Sequence, residues 1–249
     1  YYNRLESLGV AMFYQATVLD VVIRNREFDG VLVDLDGTQH YKRGRSVVLA
    51  SGGFEADKDW LASAWGDAAR NFLIRGTPYN TGEVLKGVLA GGADQVGDPT
   101  QCHAVAIDGR APEYDGGIVT RVDCVPFSIV VNEEGKRFYD EGEDVWPKRY
   151  AIWGRLVAKQ PNQVAYAIID SKSKDLFMPT VFSATVTESL DDMAQQLGLP
   201  GDELLATVQD FNAACQDGDF LPTELDGLRT KGLSPRKTKC ARPLNKPPN

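Results

Sequence analysis

Between residues 10 and 42 the apolar positions fall in short runs rich in Val, Ile and aromatics, each broken by turn residues. That pattern predicts strands rather than helices. Residues 10–15 and 17–24 form two such runs and residues 30–35 a third. The pair Asp36-Gly37 then leads into 40–42, and Asp-Gly between two strand-like runs is a strong hairpin signal. A small antiparallel meander is expected, preceded by the end of a helix in which Leu5 and Leu8 share a face and Gly9 is the stop. Residues 46–50 are almost wholly apolar, which predicts a buried strand, closed by Ser51, Gly52 and Gly53.

Helical spacing follows at 58–65 and 82–90. The stretch 97–117 is rich in Gly, Pro and Asp and reads as a long loop, of the kind that is usually functional or disordered. A strand is expected at 127–131, a turn at 132–135, a helix near 148–158 and a strand at 163–169. Two helices close the pattern, 190–197 and 202–215, with Leu204, Leu205, Val208, Phe211 and Ala214 on one face of the second. Strands and helices do not alternate regularly, so the expected class is α+β in two segments, 1–98 and 99–249.

Composition narrows the function classes. At 249 residues, 43% hydrophobic and 25% charged, the chain is ordinary for a globular protein of one or two domains. No apolar run nears the ~20 residues of a membrane-spanning helix. A net charge of −8 argues against nucleic acid as a partner. Arg229, Lys231, Arg236, Lys237, Lys239, Arg242 and Lys246 crowd the C-terminal end and read as a solvated basic tail, with attraction of an anionic substrate as the other reading. The four cysteines form no CxxC pair and there are two histidines, which points away from zinc and towards reduced thiols in the cytoplasm. The chain starts Tyr1-Tyr2 without Met, and residues 243–249 show no packing pattern, so an internal piece of a longer protein is expected. No GxGxxG follows any expected strand, so the chain by itself is not expected to complete a dinucleotide site. Gly52-Gly53 after a strand reads equally as a tight turn or as a cofactor contact.

Several stretches in fixed order resemble the fumarate reductase/succinate dehydrogenase flavoproteins. Residues 47–54, Val-Val-Leu-Ala-Ser-Gly-Gly-Phe, resemble the segment that returns the chain to the flavin domain after a meander. Asn80-Thr81-Gly82-Glu83 resembles the flavin-contacting Asn-Thr-Gly-Asp-Gly stretch. Gln101-Cys102-His103 resembles the Gln-x-His that opens the substrate-capping domain. Residues 132–141 match Asn-x-x-Gly-x-Arg-Phe-x-x-Glu, the most specific of the set. Around 98–107 and 141–153 the wording resembles members that dehydrogenate a tricarboxylate.

The resemblance implies part of an FAD-binding α/β domain over residues 1–98 and a substrate cap over 99–249. It implies FAD as cofactor, with Ala50, Ser51, Gly52, Gly53, Asn80, Thr81, Gly82 and Glu83 as cofactor contacts. It implies a small tricarboxylate or dicarboxylate substrate, a membrane-bound electron-transfer partner without insertion of this chain, and His103 and Arg149 as catalytic residues. Arg121 and Glu141 are the expected substrate contacts. The sequence departs from the pattern at several points. Glu83 and Val84 replace Asp and Gly of the flavin stretch, and Arg121 and Cys124 occupy the positions of a proton-relay Glu and Arg. Val145 stands where relatives carry a catalytic Arg, leaving Arg149 as the nearest candidate.

Plainer readings stand beside these: a structural His103, a surface Arg149 near Lys148 and Arg155, a loop ion pair for Arg121, and an ion-pair or capping role for Glu141. Trp146 and Trp153 read as core. The same fold acting on fumarate, a ketosteroid or another enoate is an alternative, as is a non-catalytic small-anion binding domain.

Overall fold

The computed structural model describes residues 1–115 and 119–248. The chain forms two compact units, Tyr1–Leu61 with Pro78–Asp98, and Ala62–Thr77 with Pro99–Asn249. Its elements are mixed and its sheets small, as an α+β class requires.

In the first unit a short helix α1 (Tyr2–Ser7) ends before Gly9, whose φ of +70° only glycine adopts easily. Strands β1 (Ala16–Arg24), β2 (Glu27–Leu35) and β3 (Thr38–Arg43) form the meander in the order β1-β2-β3, antiparallel throughout. The Asp36-Gly37 turn pairs Leu35 with Thr38, and Asp34 Oδ1 accepts from Gly37 N at 2.8 Å. Helix α2 (Lys58–Trp65) begins in this unit, and α3 (Glu83–Ala90) packs on β1, Gly91 lying against Ile23.

Two expected strands of this unit do not form. Residues 10–15 are irregular: Gln15 is left-handed at φ 50°, and Phe13 and Tyr14 are exposed. Residues 46–50 have extended-strand chemistry but no ladder, and Val48 is 90% exposed. A strand needs a neighbour to take its N–H and C=O groups, and among the described residues none lies beside this one.

The second unit holds the larger core. β4 (Ile129–Asn132) pairs antiparallel with β5 (Ala165–Ile168), and every β4 residue is buried. Alternation sends Ile129 and Val131 to one side and Val130 to the other. The first side packs on α6 (Leu190–Leu197) and α7 (Gly201–Ala214) through Met193, Leu204, Val208 and Phe211. The second side packs on Val125 and Trp153. Ser189 caps α6 by accepting from Asp192 N, and Gly198 ends it in the left-handed region. The loop expected at 97–117 is irregular up to residue 115, with residues 116 and 117 outside the described part.

The helix expected near 148–158 is broken into α4 (Trp146–Arg149), a single 3₁₀ turn and α5 (Trp153–Val157). Ala104 is the cause. Its N–H donates to Ala151 O at 3.0 Å, and its carbonyl accepts from Gly154 N at 2.9 Å, diverting the bonds a continuous helix would use. A Cβ on Gly154 would lie 2.7 Å from the Ala104 carbonyl carbon, so the close approach depends on glycine.

The C-terminal segment corrects two further expectations. Lys237 and Lys239 are each 1% exposed and so are no solvated tail. Lys237 Nζ donates to Ser128 O, while Lys239 Nζ donates to Leu221 O and Pro222 O. Residues 243–246 are packed as well: Leu244 is buried and exchanges two hydrogen bonds with Asn212, and the amides of Asn245 and Lys246 donate to Asp170 Oδ2.

Candidate functional site

In the first unit the fold brings the two expected cofactor stretches together. Gly52 adopts φ +86°, and a Cβ there would lie 2.8 Å from Asn80 Oδ1, so the Asn80 carboxamide rests on the Gly52 backbone. Asn80 Nδ2 donates to Glu55 Oε1 at 2.7 Å, and Ala56 N donates to Asn80 O at 3.0 Å. Gly82, left-handed at φ 74° and ψ 18°, starts α3 without a side-chain cap. Its missing Cβ admits Trp60, whose ring stacks on Phe54 at 4.0 Å. Ala50, Ser51 and Gly52 are exposed, and Thr81 is half-buried. Glu83, 77% exposed, lies 3.5 Å from Lys86 Nζ.

These residues fit part of a dinucleotide cofactor. An uncapped helix start suits a phosphate group, and an exposed carboxylate such as Glu83, already beside Lys86 Nζ, can still accept sugar hydroxyls.

In the second unit the polar candidates are held by partners that sequence reasoning missed. Arg121 donates from Nε to Asp123 Oδ1 at 2.6 Å and from Nη2 to Oδ2 at 2.8 Å, a bidentate pair. Trp146 Nε1 donates to the same Oδ1 at 2.9 Å. The Arg121 guanidinium lies 4.6 Å from the Tyr150 ring, which also meets the His103 ring edge-on at 5.1 Å and the Trp146 ring at 6.1 Å. Tyr150 therefore joins His103 and Arg121 in one network with Asp123 and Trp146.

Arg149 belongs to a separate cluster. Its Nε donates to Glu143 Oε2 at 2.8 Å, Nη2 donates to the same oxygen, and Tyr139 Oη donates there at 2.7 Å. Hydrogen bonding to Asp123 and to Glu143 pushes the pKa values of Arg121 and Arg149 further up, so both are held as cations. Burial works to raise the Glu143 carboxyl, but the bonds from Arg149 and Tyr139 leave it below its ordinary value. Burial and then the Glu143 contact raise Tyr139.

Glu141 is buried and its carboxylate is occupied. Oε1 accepts from Val130 N and Arg137 Nε at 2.8 and 2.9 Å, and Oε2 accepts from Arg137 Nη2 at 2.5 Å. Arg137 also donates to Pro235 O at 2.7 Å. The Arg and Glu of the Asn-x-x-Gly-x-Arg-Phe-x-x-Glu motif thus hold β4 to the C-terminal segment.

The partners of these residues left some sequence signal: Arg121 and Asp123 sit two apart, and aromatics recur at 139, 146, 150 and 153. Their convergence could not be read, because it depends on the loop around Ala104 meeting the broken helix. The four cysteines are free, and burial pushes the Cys124 thiol up to about 12 and Cys215 to about 11, which makes them inert. Among the described residues no group of His, Cys, Asp or Glu could hold a metal, and no helix is long and apolar enough to cross a membrane.

The chain belongs to the FAD binding domain family, whose profile matches residues 1–225. It is 26% identical to NADH:acrylate oxidoreductase of Vibrio harveyi over 88% of this chain and 23% of that protein. It is also 26% identical to 3-oxosteroid 1-dehydrogenase of Mycobacterium tuberculosis strain H37Rv, over 86% of this chain and 42% of that one. The fold matches 3-ketosteroid delta1-dehydrogenase of Sterolibacterium denitrificans, in complex with 1,4-androstadiene-3,17-dione, with a TM-score of 0.69 and 21% identity. That match covers 99% of this chain and 48% of the other. The chain therefore spans less than half the length of these relatives.

Proposed function

We propose that the chain is part of an FAD-dependent oxidoreductase that removes or adds two hydrogens across a C–C bond beside a carbonyl or carboxylate. Residues 1–98 are then part of the FAD-binding domain and residues 99–249 the substrate cap. The observation that carries this reading is the packing of Asn80 on Gly52, which assembles the cofactor stretches within one unit. Residues 50–53 and 80–83 would hold the cofactor, and bound flavin supplies the hydride acceptor.

In the cap, Arg121 and Arg149 are the permanent cations proposed to meet a substrate oxyanion, each already paired with a carboxylate, and His103 is an exposed imidazole able to move a proton. Tyr150 fixes the imidazole against Arg121. Glu141 acts at a distance, as a positioning residue for Arg137 and β4. Turnover is expected from a protein of its relatives' full length rather than from this chain alone. Its compartment is read as cytoplasmic, and its electron acceptor as a membrane-bound partner or a quinone.

The finer reading is tricarballylate dehydrogenase, forming cis-aconitate; it rests on the resemblance of residues 98–107 and 141–153. A second reading, a neutral oxo compound such as a ketosteroid, is favoured by the ion pairs. Arg121 and Arg149 are each already matched by a carboxylate, which lowers the positive charge that a tricarboxylate needs. The test is to expose the full-length protein to tricarballylate, then to a 3-oxosteroid, without oxygen, and follow the absorbance of oxidised flavin. Bleaching by one of them selects that reading. A coloured protein that neither bleaches would discard both substrates, and a colourless one would discard the flavoenzyme and favour the anion-binding domain.

A further inference from the structure

A cavity of about 210 Å³ in the second unit adjoins the Arg121 network. Asp123 and Trp146 line it, and Asp123 is the carboxylate that holds Arg121 through Nε and Nη2. That bidentate pair occupies one edge of the guanidinium, so the donors of the other edge can meet a carbonyl oxygen. Much of the remaining wall is apolar: Phe127, Leu176, Phe177, Met178 and Pro222. Leu176 and Met178 are 37% and 39% exposed, so the cavity opens to water on their side.

The polar groups of the wall are already engaged. Asp123 is matched by Arg121. Asp144 Oδ1 accepts from Val145 N at 2.6 Å and lies 3.8 Å from Lys148 Nζ. Lys239 Nζ donates to Leu221 O, to Pro222 O at 2.5 Å and to Cys240 Sγ at 3.3 Å, which uses every hydrogen of an ammonium and leaves none for a guest carboxylate. A charged guest would give up its hydration here for no new partner. The wall therefore suits a neutral, apolar body, and the volume limits its size. For scale, an apolar cavity of about 150 Å³ takes up benzene. One six-membered ring with a short alkyl group fits, whereas a fused four-ring skeleton does not.

We propose that this cavity receives the ring of the substrate, and that the substrate is a neutral monocyclic ketone, an alkyl-substituted cyclohexanone, with its carbonyl toward Arg121. The proposal rests on the oxidoreductase reading above and narrows its neutral oxo alternative from several fused rings to one. Phe177 and Met178 are then the residues that set the ring size.

The test uses the flavin-loaded full-length protein without oxygen and three ketones of rising ring number: 4-methylcyclohexanone, 2-decalone and a 3-oxosteroid. The kcat/KM for flavin bleaching is expected to fall by at least about tenfold at each step, since a single methylene already discriminates that strongly in an apolar pocket. Phe177→Ala enlarges the cavity and is expected to narrow the gap between the first two ketones by about tenfold. Met178→Trp fills it and is expected to raise KM for 4-methylcyclohexanone by about tenfold or more. If circular dichroism shows Met178→Trp to be unfolded, Leu176→Phe takes its place as the filling variant. Bleaching by 4-methylcyclohexanone that neither variant alters would overturn the cavity as the site of the ring and leave the oxidoreductase reading intact. Bleaching by the steroid at least as efficient as by the one-ring ketone would overturn the ring size, and bleaching by tricarballylate alone would overturn the neutral class. A protein that no ketone or carboxylate bleaches would overturn the oxidoreductase reading itself, and this proposal with it.

Discussion

Residues 46–50 and strand β4 are two apolar segments of nearly the same character, and the fold treats them in opposite ways. Both carry consecutive Val, Leu or Ile and both predict a buried strand. β4 has β5 on one edge, α6 and α7 over one face and Trp153 over the other, so each of its residues is buried. Residues 46–50 have no ladder, and Val48 is 90% exposed. Apolar character says that a segment should be covered. It does not say by what, and a strand is completed only by the neighbours that take its backbone hydrogen bonds.

The comparison breaks most visibly at the buried member. Val131→Asp places a carboxylate at a position with 0% exposure, in the apolar cluster of Met193 and Leu204. Burying an unpaired charge belongs to the most damaging class of substitution, and a loss above about 4 kcal/mol is expected. Urea unfolding followed by tryptophan fluorescence measures it, and a loss below 1 kcal/mol, on the order of an ordinary surface change, would show that β4 is not the centre of the core.

Somewhat smaller is the effect of Glu141→Gln. Arg137 and Glu141 have side chains 3% and 0% exposed, and the glutamine would leave the guanidinium without a counter-ion. Removing one partner of a buried pair costs about 3–5 kcal/mol. The same unfolding curves check it. If Glu141 instead binds substrate, the variant would keep its stability and lose substrate affinity, and that outcome would return it to the site.

A third test uses pH to probe the buried titratable groups of the second unit. Burial holds the Lys237 amine below its ordinary value of 10.5, so between the two values the unfolded chain binds more protons than the folded one. Stability therefore rises with pH through that window. Cys124 and Cys215 act in the other direction, since their folded values near 12 and 11 lie above the ordinary 9.0 and cost stability as pH rises beyond it. Above pH 9, the ordinary thiol value, the two effects oppose each other, so Lys237→Met is compared with the parent chain over the same pH range. Lys237→Met should flatten the rise; an unchanged slope would assign it to another group.

Legibility followed the same division. The meander, α2, α6 and α7 could be read because their signals are local: Val- and Ile-rich runs, an Asp-Gly turn, and apolar residues at helical spacing. The broken helix at 146–157 could not, because Ala104, more than forty positions earlier, takes its hydrogen bonds. Lys237 and Lys239 read as solvated because charge usually is, and only the carbonyls of Ser128, Leu221 and Pro222 make their burial tolerable. Of the candidate site, the residue types were legible and their partners were not. Arg121 and Arg149 stood out as cations, whereas the convergence of Asp123, Glu143 and Tyr150, which set their charge and orientation, depends on contacts that only the fold makes.

The smallest expected effect tests the exposed member of the pair. Val48→Lys puts a charge where the valine is 90% exposed, so the chain's stability should move by no more than about 0.5 kcal/mol. Set beside Val131→Asp, it asks whether two similar sequences differ as much in energy as they do in exposure. A loss near 2 kcal/mol, the order expected for uncovering a buried valine, would mean that residues 46–50 are covered in solution. Repeating the measurement at several protein concentrations then identifies the cover. A loss that grows with concentration points to a second copy of the chain, because an apolar strand with unpaired backbone groups is a template for edge pairing. A loss independent of concentration points to a rearrangement within the chain, and the contrast with β4 would then be one of sequence distance rather than of available partners.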